Sequence, residues 1–199
     1  MKIEILTALC SFAFVASVTP GPNNLMLMAS GANFGIRRSI PHLLGVVFGF
    51  VIMVLLVGTG LMQVFDAHPL SYDVLRVFSI VYLGSLAWKI ATATSISTRA
   101  KSSPLSALQA ALFQWVNPKA WAMALTAITV YAPSQSLAAV GFVALVTGMV
   151  NLPSIFVWVI LGERMQRQLQ GGSKMRVFNY GMALLLIASL YPVVVGSLG

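Results

Sequence analysis

The sequence predicts an all-α membrane protein with six transmembrane helices in two inverted three-helix repeats, in which helices 1 and 4 are broken. Three observations predict this class. Of the 199 residues, 58% are hydrophobic and only 8% are charged, whereas soluble domains carry about 25% charged residues. The apolar runs are each about 20 residues long, which suits membrane-crossing helices rather than the alternating strands of a barrel. Prolines interrupt the first and the fourth of these runs.

Six apolar runs define the predicted spans, and each is long enough to cross a hydrocarbon core about 30 Å thick. The links between them are short, so residues 1–199 are expected to form one transmembrane transporter domain. Repeat 1 covers about residues 1–95 and repeat 2 about residues 104–199, with a small polar linker between them. The spans run roughly over residues 4–29, 40–63, 72–92, 106–131, 136–161 and 177–197.

Positive charges between the runs predict the orientation. The net charge is +8, but the charges are not clustered on a soluble module, so no nucleic-acid partner is expected. Links one, three and five carry most of the Lys and Arg residues, whereas the second link region holds only Arg76 and the fourth holds none. The positive-inside rule therefore places these three links in the cytoplasm and both termini outside. The residues concerned are Arg37, Arg38, Lys89, Arg99, Lys101, Arg164, Arg167, Lys174 and Arg176.

A weak internal repeat accompanies this pattern. A shift of 96 positions superposes Pro22 on Pro118 and Gly45 on Gly141. Because each half then holds three spans, an odd number, the two halves must cross the membrane in opposite senses. This is the inverted-repeat architecture of many secondary transporters.

The break in span 1 is predicted to form half of a substrate site. Two prolines remove backbone donors, and the carbonyl groups that lose a partner must face protein or a water-lined cavity. The amides and the hydroxyl of this segment are expected to hold an ammonium group or a substrate side chain. The alternative is a structural kink in which the asparagines bond the broken backbone. The segment comprises Thr19, Pro20, Gly21, Pro22, Asn23 and Asn24.

The break in span 4 is predicted to form the other half, around Asn117, Pro118 and Lys119. Lys119 lies about 20 Å along its span, near mid-membrane, where a lysine costs roughly 2.5–3.5 kcal/mol. The half-helix that begins at Pro118 is expected to present free N–H groups, which together with Lys119 would bind a carboxylate. The alternative is a lysine that binds a backbone carbonyl or extends to the membrane surface. Gln114, one turn earlier, is expected to line the same cavity.

Span 5 contains a third proline motif, and several glycines suggest close packing. The sequence Asn151-Leu152-Pro153 predicts a further break at mid-membrane, with Asn151 in the cavity or capping the break. A second group of residues is expected to pack helices closely rather than to bind substrate. Its members are Gly45 and Gly49 in span 2, and Gly141 and Gly148 in span 5.

Missing motifs restrict the function further. The four acidic residues all fall near span ends or in links, so no buried carboxylate is expected, and His42 lies near the cytoplasmic end of span 2. Protons are the candidate coupling ion, with the substrate or Lys119 as the candidate carrier. No catalytic motif or P-loop occurs, so neither an enzyme nor a cofactor is predicted. Cys10, the sole cysteine, excludes an intramolecular disulfide, and no metal site is expected.

These residues resemble a known family. The run from Thr19 to Asn23 resembles the signature of the LysE/RhtB superfamily of bacterial amino-acid exporters, and residues 116–120 and the span 2 glycines resemble its other marks. The resemblance covers the whole chain and implies an inner-membrane secondary exporter driven by the membrane gradient. Many members carry an acidic residue after the second glycine of span 2, where this chain has Phe50. This departure argues against basic substrates and favours a neutral branch, such as exporters of cysteine and O-acetylserine or of homoserine and threonine.

The predicted function is export of a small neutral amino acid or derivative by alternating access. Lys119 and the Pro118 half-helix would hold the carboxylate, and the span 1 segment would hold the ammonium group or the side chain. Two alternatives remain open at this point. One is a channel-like pathway for another small solute, and the other is a membrane scaffold without transport activity. A homo-oligomer is compatible with the sequence.

Overall fold

The computed structural model describes residues 3–68, 70–92, 103–132, 136–169 and 172–191, and all regular elements in these ranges are helical. Predictions for Lys2, Arg99, Lys101, part of the linker and the end of span 6 lie outside the described residues. The helices are α1 (Ile3–Val18), α2 (Pro22–Phe34), α3 (Ile36–Gly58), α4 (Leu61–Ala67), α5 (Leu70–Thr92), α6 (Ala107–Phe113), α7 (Pro118–Tyr131), α8 (Leu137–Gln168) and α9 (Gly172–Ala188), with a 3₁₀ turn at Gln114–Val116.

The all-α membrane class is confirmed. Among the described residues, three helices are long and apolar enough to cross a membrane, namely α3, α5 and α8, and the bent pair α1–α2 makes a fourth span if it is counted as one. The other two predicted spans correspond to the interrupted pair α6–α7 and to α9, which has 17 residues. The six-span count and the inverted repeat therefore stay predictions.

Both predicted breaks are present. α1 and α2 meet at 56°, and α2 begins with Pro22, whose missing N–H costs nothing at the first helical position. α7 likewise begins at Pro118, directly after Asn117, which has φ −94° and ψ 106°. A proline disfavours helical geometry in the residue before it, which explains why the helix stops at Asn117.

The predicted third break is wrong. α8 runs without interruption from Leu137 to Gln168 with Pro153 inside it. Pro153 lies on an exposed face of the helix, and Ser154 Oγ donates a 2.7 Å hydrogen bond to the Val150 carbonyl in the same turn. Neighbouring helices can maintain a membrane helix through a single proline, and α8 packs against α1, α2 and α3.

Close helix contacts explain three of the four predicted packing glycines. A Cβ on Gly45 would overlap the Ala107 carbonyl, and one on Gly49 would lie 2.5 Å from Ala111 Cα, so α3 and α6 touch backbone to backbone. A Cβ on Gly148 would lie 2.5 Å from a Val51 methyl group. Gly141 is the exception, because a Cβ there meets no described atom within 4 Å. The predicted packing role of Gly141 is therefore not supported by a close contact, because a glycine does not by itself bring a partner helix close.

Candidate functional site

The two breaks face each other, and Lys119 joins them. Its Nζ donates to the Thr19 carbonyl at 2.6 Å, to Thr19 Oγ1 at 2.8 Å and, at 3.4 Å, to the Pro20 carbonyl. Gly21 leaves room for this approach, because a Cβ there would lie only 2.7 Å from Lys119 Cδ. A cation thus lies at the C-terminal end of α1, where it is favoured by the helix dipole.

Side chains satisfy the backbone that the first break exposes. Asn24 Nδ2 donates to the carbonyls of Ser17 and Thr19, both at 2.7 Å, and Trp158 Nε1 of α8 donates to the Val18 carbonyl at 3.1 Å. Together with Lys119, these side chains give hydrogen-bond partners to the carbonyls of Ser17, Val18 and Thr19. Carbonyls at a helix end lack partners within the helix, so part of the polar character of the segment is structural.

An amide pair forms a second link between the breaks. Asn23 Nδ2 donates to Gln114 Oε1 at 2.9 Å, and Gln114 Nε2 donates back to Asn23 Oδ1 at 3.2 Å. Gln114 is fully buried and also donates to the Ala110 carbonyl at 2.8 Å. The 3₁₀ turn before Asn117 therefore positions Gln114 against the start of α2.

The N-terminus of α7 does not present the free N–H groups that the sequence suggested. Asn117 Oδ1 accepts the Lys119 N–H at 3.1 Å, and the Asn117 carbonyl accepts the N–H groups of Ala120 and Trp121. Pro118 has no N–H. Because these N–H groups already have partners, the Lys119 side chain is the positive group of the site that can move.

Asn151 completes the site from α8. Its Nδ2 donates to Ser17 Oγ at 2.9 Å, but its Oδ1 is buried and has no hydrogen-bond partner among the described residues. An unsatisfied buried acceptor costs about 1–3 kcal/mol. The Asn151 Oδ1 is thus an acceptor available to a donor that enters the site.

These groups surround a small cavity of about 20 Å³. That volume holds a water molecule but not an amino acid. The predicted residues that line it are Gly21, Asn23, Asn24, Asn117, Lys119 and Asn151. The others act through contacts already described or, for Pro22 and Pro118, by starting a helix. A groove of about 420 Å³ borders the same break at Pro20 and Gly21.

Three residues at the site were not predicted. Ser17 binds Asn151 and Asn24, Trp158 binds the Val18 carbonyl, and Phe50 lines the cavity. A serine within an apolar run carries little signal by itself, and tryptophans are common near membrane surfaces. Their roles depend on which helices meet.

Comparisons with known proteins identify the family of the chain. The family described as "LysE type translocator" matches residues 14–189. The chain is 29% identical to the "Cysteine/O-acetylserine efflux protein" of Escherichia coli O139:H28 (strain E24377A / ETEC) over 94% of this chain and 96% of that protein. It is 28% identical, with the same coverage, to the proteins of that name from Escherichia coli (strain K12) and Shigella sonnei (strain Ss046). No solved structure matches the chain significantly.

Proposed function

Because the chain belongs to the LysE-type translocator family, we propose that it exports a small neutral amino acid or derivative across the bacterial inner membrane by alternating access. The observation that carries the proposal is the contact of Lys119 with Thr19 and Pro20. It places one amine between two broken helices. A substrate carboxylate competes for that amine and can thereby loosen the link between them.

Lys119 is the proposed carboxylate-binding residue. In the closed site its ammonium group is held by neutral carbonyls and a hydroxyl, and hydrogen bonds to an ionised acceptor are roughly twice as strong as neutral ones. The substrate carboxylate would therefore replace Thr19 as the partner of Lys119. The unpartnered Asn151 Oδ1 would accept a hydrogen bond from the substrate ammonium group. Asn23 Oδ1 would accept another once the pair of Asn23 with Gln114 has opened.

The lining favours neutral substrates. No Asp or Glu lines the cavity among the described residues, so the side chain of lysine or arginine would lack a charged partner. The relatives named above are efflux proteins for cysteine and O-acetylserine. These two compounds are the first substrates to test.

The proposed architecture is two inverted repeats of three spans. Pro22 starts α2 and Pro118 starts α7, 96 positions apart, which supports equivalent breaks in the two halves. Movement of one half against the other would open the cavity alternately to each side of the membrane. We further propose that protons are the coupling ion and that both termini lie outside.

Counterflow in proteoliposomes tests the proposal. Vesicles are loaded with one unlabelled amino acid, and uptake of the labelled compound is followed for cysteine, O-acetylserine, homoserine, threonine and lysine. We expect saturable exchange for one or more of the neutral compounds and none for lysine. The Lys119→Ala variant should lose exchange, because the carboxylate then has no cation to bind.

Lys174→Ala is the matched control, because Lys174 is exposed near the start of α9 and should exchange normally. An active Lys119→Ala variant would contradict the assigned role of Lys119. Absence of exchange for every neutral compound, with the wild-type protein folded, would contradict the transport proposal. Flux without saturation or counterflow would favour a channel.

A further inference from the structure

A second cavity lies away from the site described above. It has a volume of about 310 Å³ and is lined by residues of α2, α3 and α5 and by residues 103–105. Its polar lining includes Ser30, Asn33, His42 and Lys89. Most of the other lining residues are apolar, so these four side chains supply most of the polar groups of a cavity that the proposed substrate contacts do not use.

His42 is the unusual residue in this wall. It is only 2% exposed, and neither Nδ1 nor Nε2 has a hydrogen-bond partner among the described residues. An imidazole carries a donor or an acceptor at each nitrogen, so both groups remain unsatisfied at a cost of about 1–3 kcal/mol each. An ionisable residue inside a membrane protein usually serves a function.

His42 lines the larger cavity and lies close to the central cavity along α3. Val46, four residues further along α3, lines the small central cavity, and four residues of helix rise about 6 Å. On α2, Asn23 lines the central cavity, whereas Met26 and Ser30 line the larger one. His42 therefore lies about one helical turn from the proposed substrate site.

The charged neighbours of His42 are few. α2 and α6 contain no ionisable side chain, and α5 contributes Lys89 to the cavity wall. On α3 itself, Arg38 lies over the ring of Phe34, 5.3 Å from its centroid, and Arg37 precedes it. From α8, Glu163 accepts the Ile36 N–H at 2.8 Å, at the start of α3. No carboxylate lines the cavity among the described residues.

In this environment, protonation of His42 depends on which molecules enter the cavity. An imidazolium has two N–H donors, and Ser30 Oγ already shares its hydrogen bond with Ser39 Oγ at 2.7 Å. Lys89, which is exposed in the same wall, adds a positive charge rather than a negative partner for an imidazolium. Water or a substrate carboxylate would supply the missing acceptors and oppose the charge of Lys89.

We propose that His42 is the proton-carrying residue of the transport cycle. This inference rests on the proposed function. A hydronium ion in the cavity transfers a proton to one ring nitrogen: its O–H bond breaks, an N–H bond forms, and water and an imidazolium result. In the reverse step the same nitrogen returns the proton to a water molecule, which breaks the N–H bond and forms an O–H bond. Transfer from the central site into this cavity moves the proton toward the end of the molecule that carries Arg37, Arg38 and Lys89.

The test measures proton movement and substrate exchange separately. Proteoliposomes containing a trapped pH-sensitive dye receive O-acetylserine, and the proton flux is compared for wild type, His42→Gln and His68→Gln. His68 is exposed at the end of α4 and serves as the matched control. Counterflow of labelled O-acetylserine is measured in parallel at equal pH on both sides.

We expect His42→Gln to retain counterflow within about twofold and to lose substrate-dependent proton flux by about tenfold or more, since glutamine binds no proton. Wild type and His68→Gln should show both activities. If His42→Gln does not fold, His42→Leu takes its place with the same expectations. Normal proton flux in a His42 variant, or loss of its counterflow while it remains folded, would overturn the inference.

The wild-type protein separates the two proposals. Counterflow without proton flux would overturn the role of His42 and leave export intact. Absence of counterflow for O-acetylserine and for the whole amino-acid panel would instead refute the proposed function.

Discussion

Lys119 has a structural contact in the closed site and a proposed role as the carboxylate-binding residue, and its sequence context suggested both. Its amine binds backbone carbonyls in the closed site, which is the structural alternative. These contacts involve neutral acceptors on the opposite broken helix, which a carboxylate can replace. Under the proposed function, we therefore expect this contact to hold the two broken helices together until a substrate carboxylate replaces it.

Gly21→Ala tests this contact without removing the amine. The added Cβ would lie 2.7 Å from Lys119 Cδ, so the Lys119 side chain must shift, and we expect its contact with Thr19 to weaken. We expect the exchange rate to fall about tenfold, which corresponds to about 1.4 kcal/mol of lost stabilisation. Gly181→Ala, where a Cβ meets no described atom within 4 Å, is the control. Equal exchange rates in the two variants would contradict the coupling of this contact to transport.

A double-mutant cycle measures the Asn23–Gln114 pair. The Asn23→Ala and Gln114→Ala changes each remove a reciprocal pair of hydrogen bonds. Interhelical side-chain bonds in membranes average about 0.6 kcal/mol and reach about 1.7. We therefore expect a coupling energy of about 0.5–1.5 kcal/mol in the free energy of unfolding in detergent. A coupling energy near zero would show that the pair contributes nothing to stability.

At the scale of elements, the close contact of α3 with α6 depends on two glycines, which have no side chain. Gly45 and Gly49 allow Ala107 and Ala111 to approach at backbone distance. This contact holds α6 in place, and α6 leads directly into the turn that carries Gln114. Small residues thus influence the site without touching it.

Gly49→Ala should destabilise the protein. A Cβ 2.5 Å from Ala111 Cα forces α3 and α6 apart, and overpacking of this kind costs about 1–3 kcal/mol. Thermal unfolding in detergent is the measurement. Gly141→Ala in α8 is the matched control and should unfold as wild type does, because a Cβ there meets open space among the described residues. The reverse ranking of the two variants would refute the packing argument.

At the scale of the whole molecule, basic residues gather at one end. Ile36 at the start of α3 binds Glu163 near the end of α8, and Phe34 and Lys89 line the same cavity. Met175 at the start of α9 packs with Ala32 near the end of α2. The helix ends that carry Arg37, Arg38, Lys89, Arg164 and Lys174 are therefore neighbours, which supports the proposed orientation with this end in the cytoplasm.

Single cysteines test that orientation. Two variants are made in a Cys10→Ala background, and each has a single exposed thiol. Gln63→Cys on α4 places it at one end of the molecule, and Ser173→Cys on α9 places it at the opposite end. A membrane-impermeant maleimide added to intact cells should label Gln63→Cys and spare Ser173→Cys until the membrane is opened. The opposite labelling pattern would invert the proposed topology.

Some of this protein can be predicted from the sequence because the physical cause is local. Apolar runs of about 20 residues require helices in a bilayer, and Pro22 and Pro118 stop the preceding helix through their own geometry. The membrane class, the two breaks and the polar residues around them follow from these effects. The resemblance to an exporter family rests on the same residues, and the family match agrees with it.

Only the tertiary structure decided what depends on neighbours. Pro153 sits inside an intact helix, although locally it resembles the two prolines that break one. Gly141 lacks the close contact that Gly49 has, and Ser17, Trp158 and His42 gain their significance from residues far away in the chain. The reason is physical: a proline or glycine acts on its own backbone, whereas a hydrogen-bond partner, a close approach or a cavity arises only where separate helices meet.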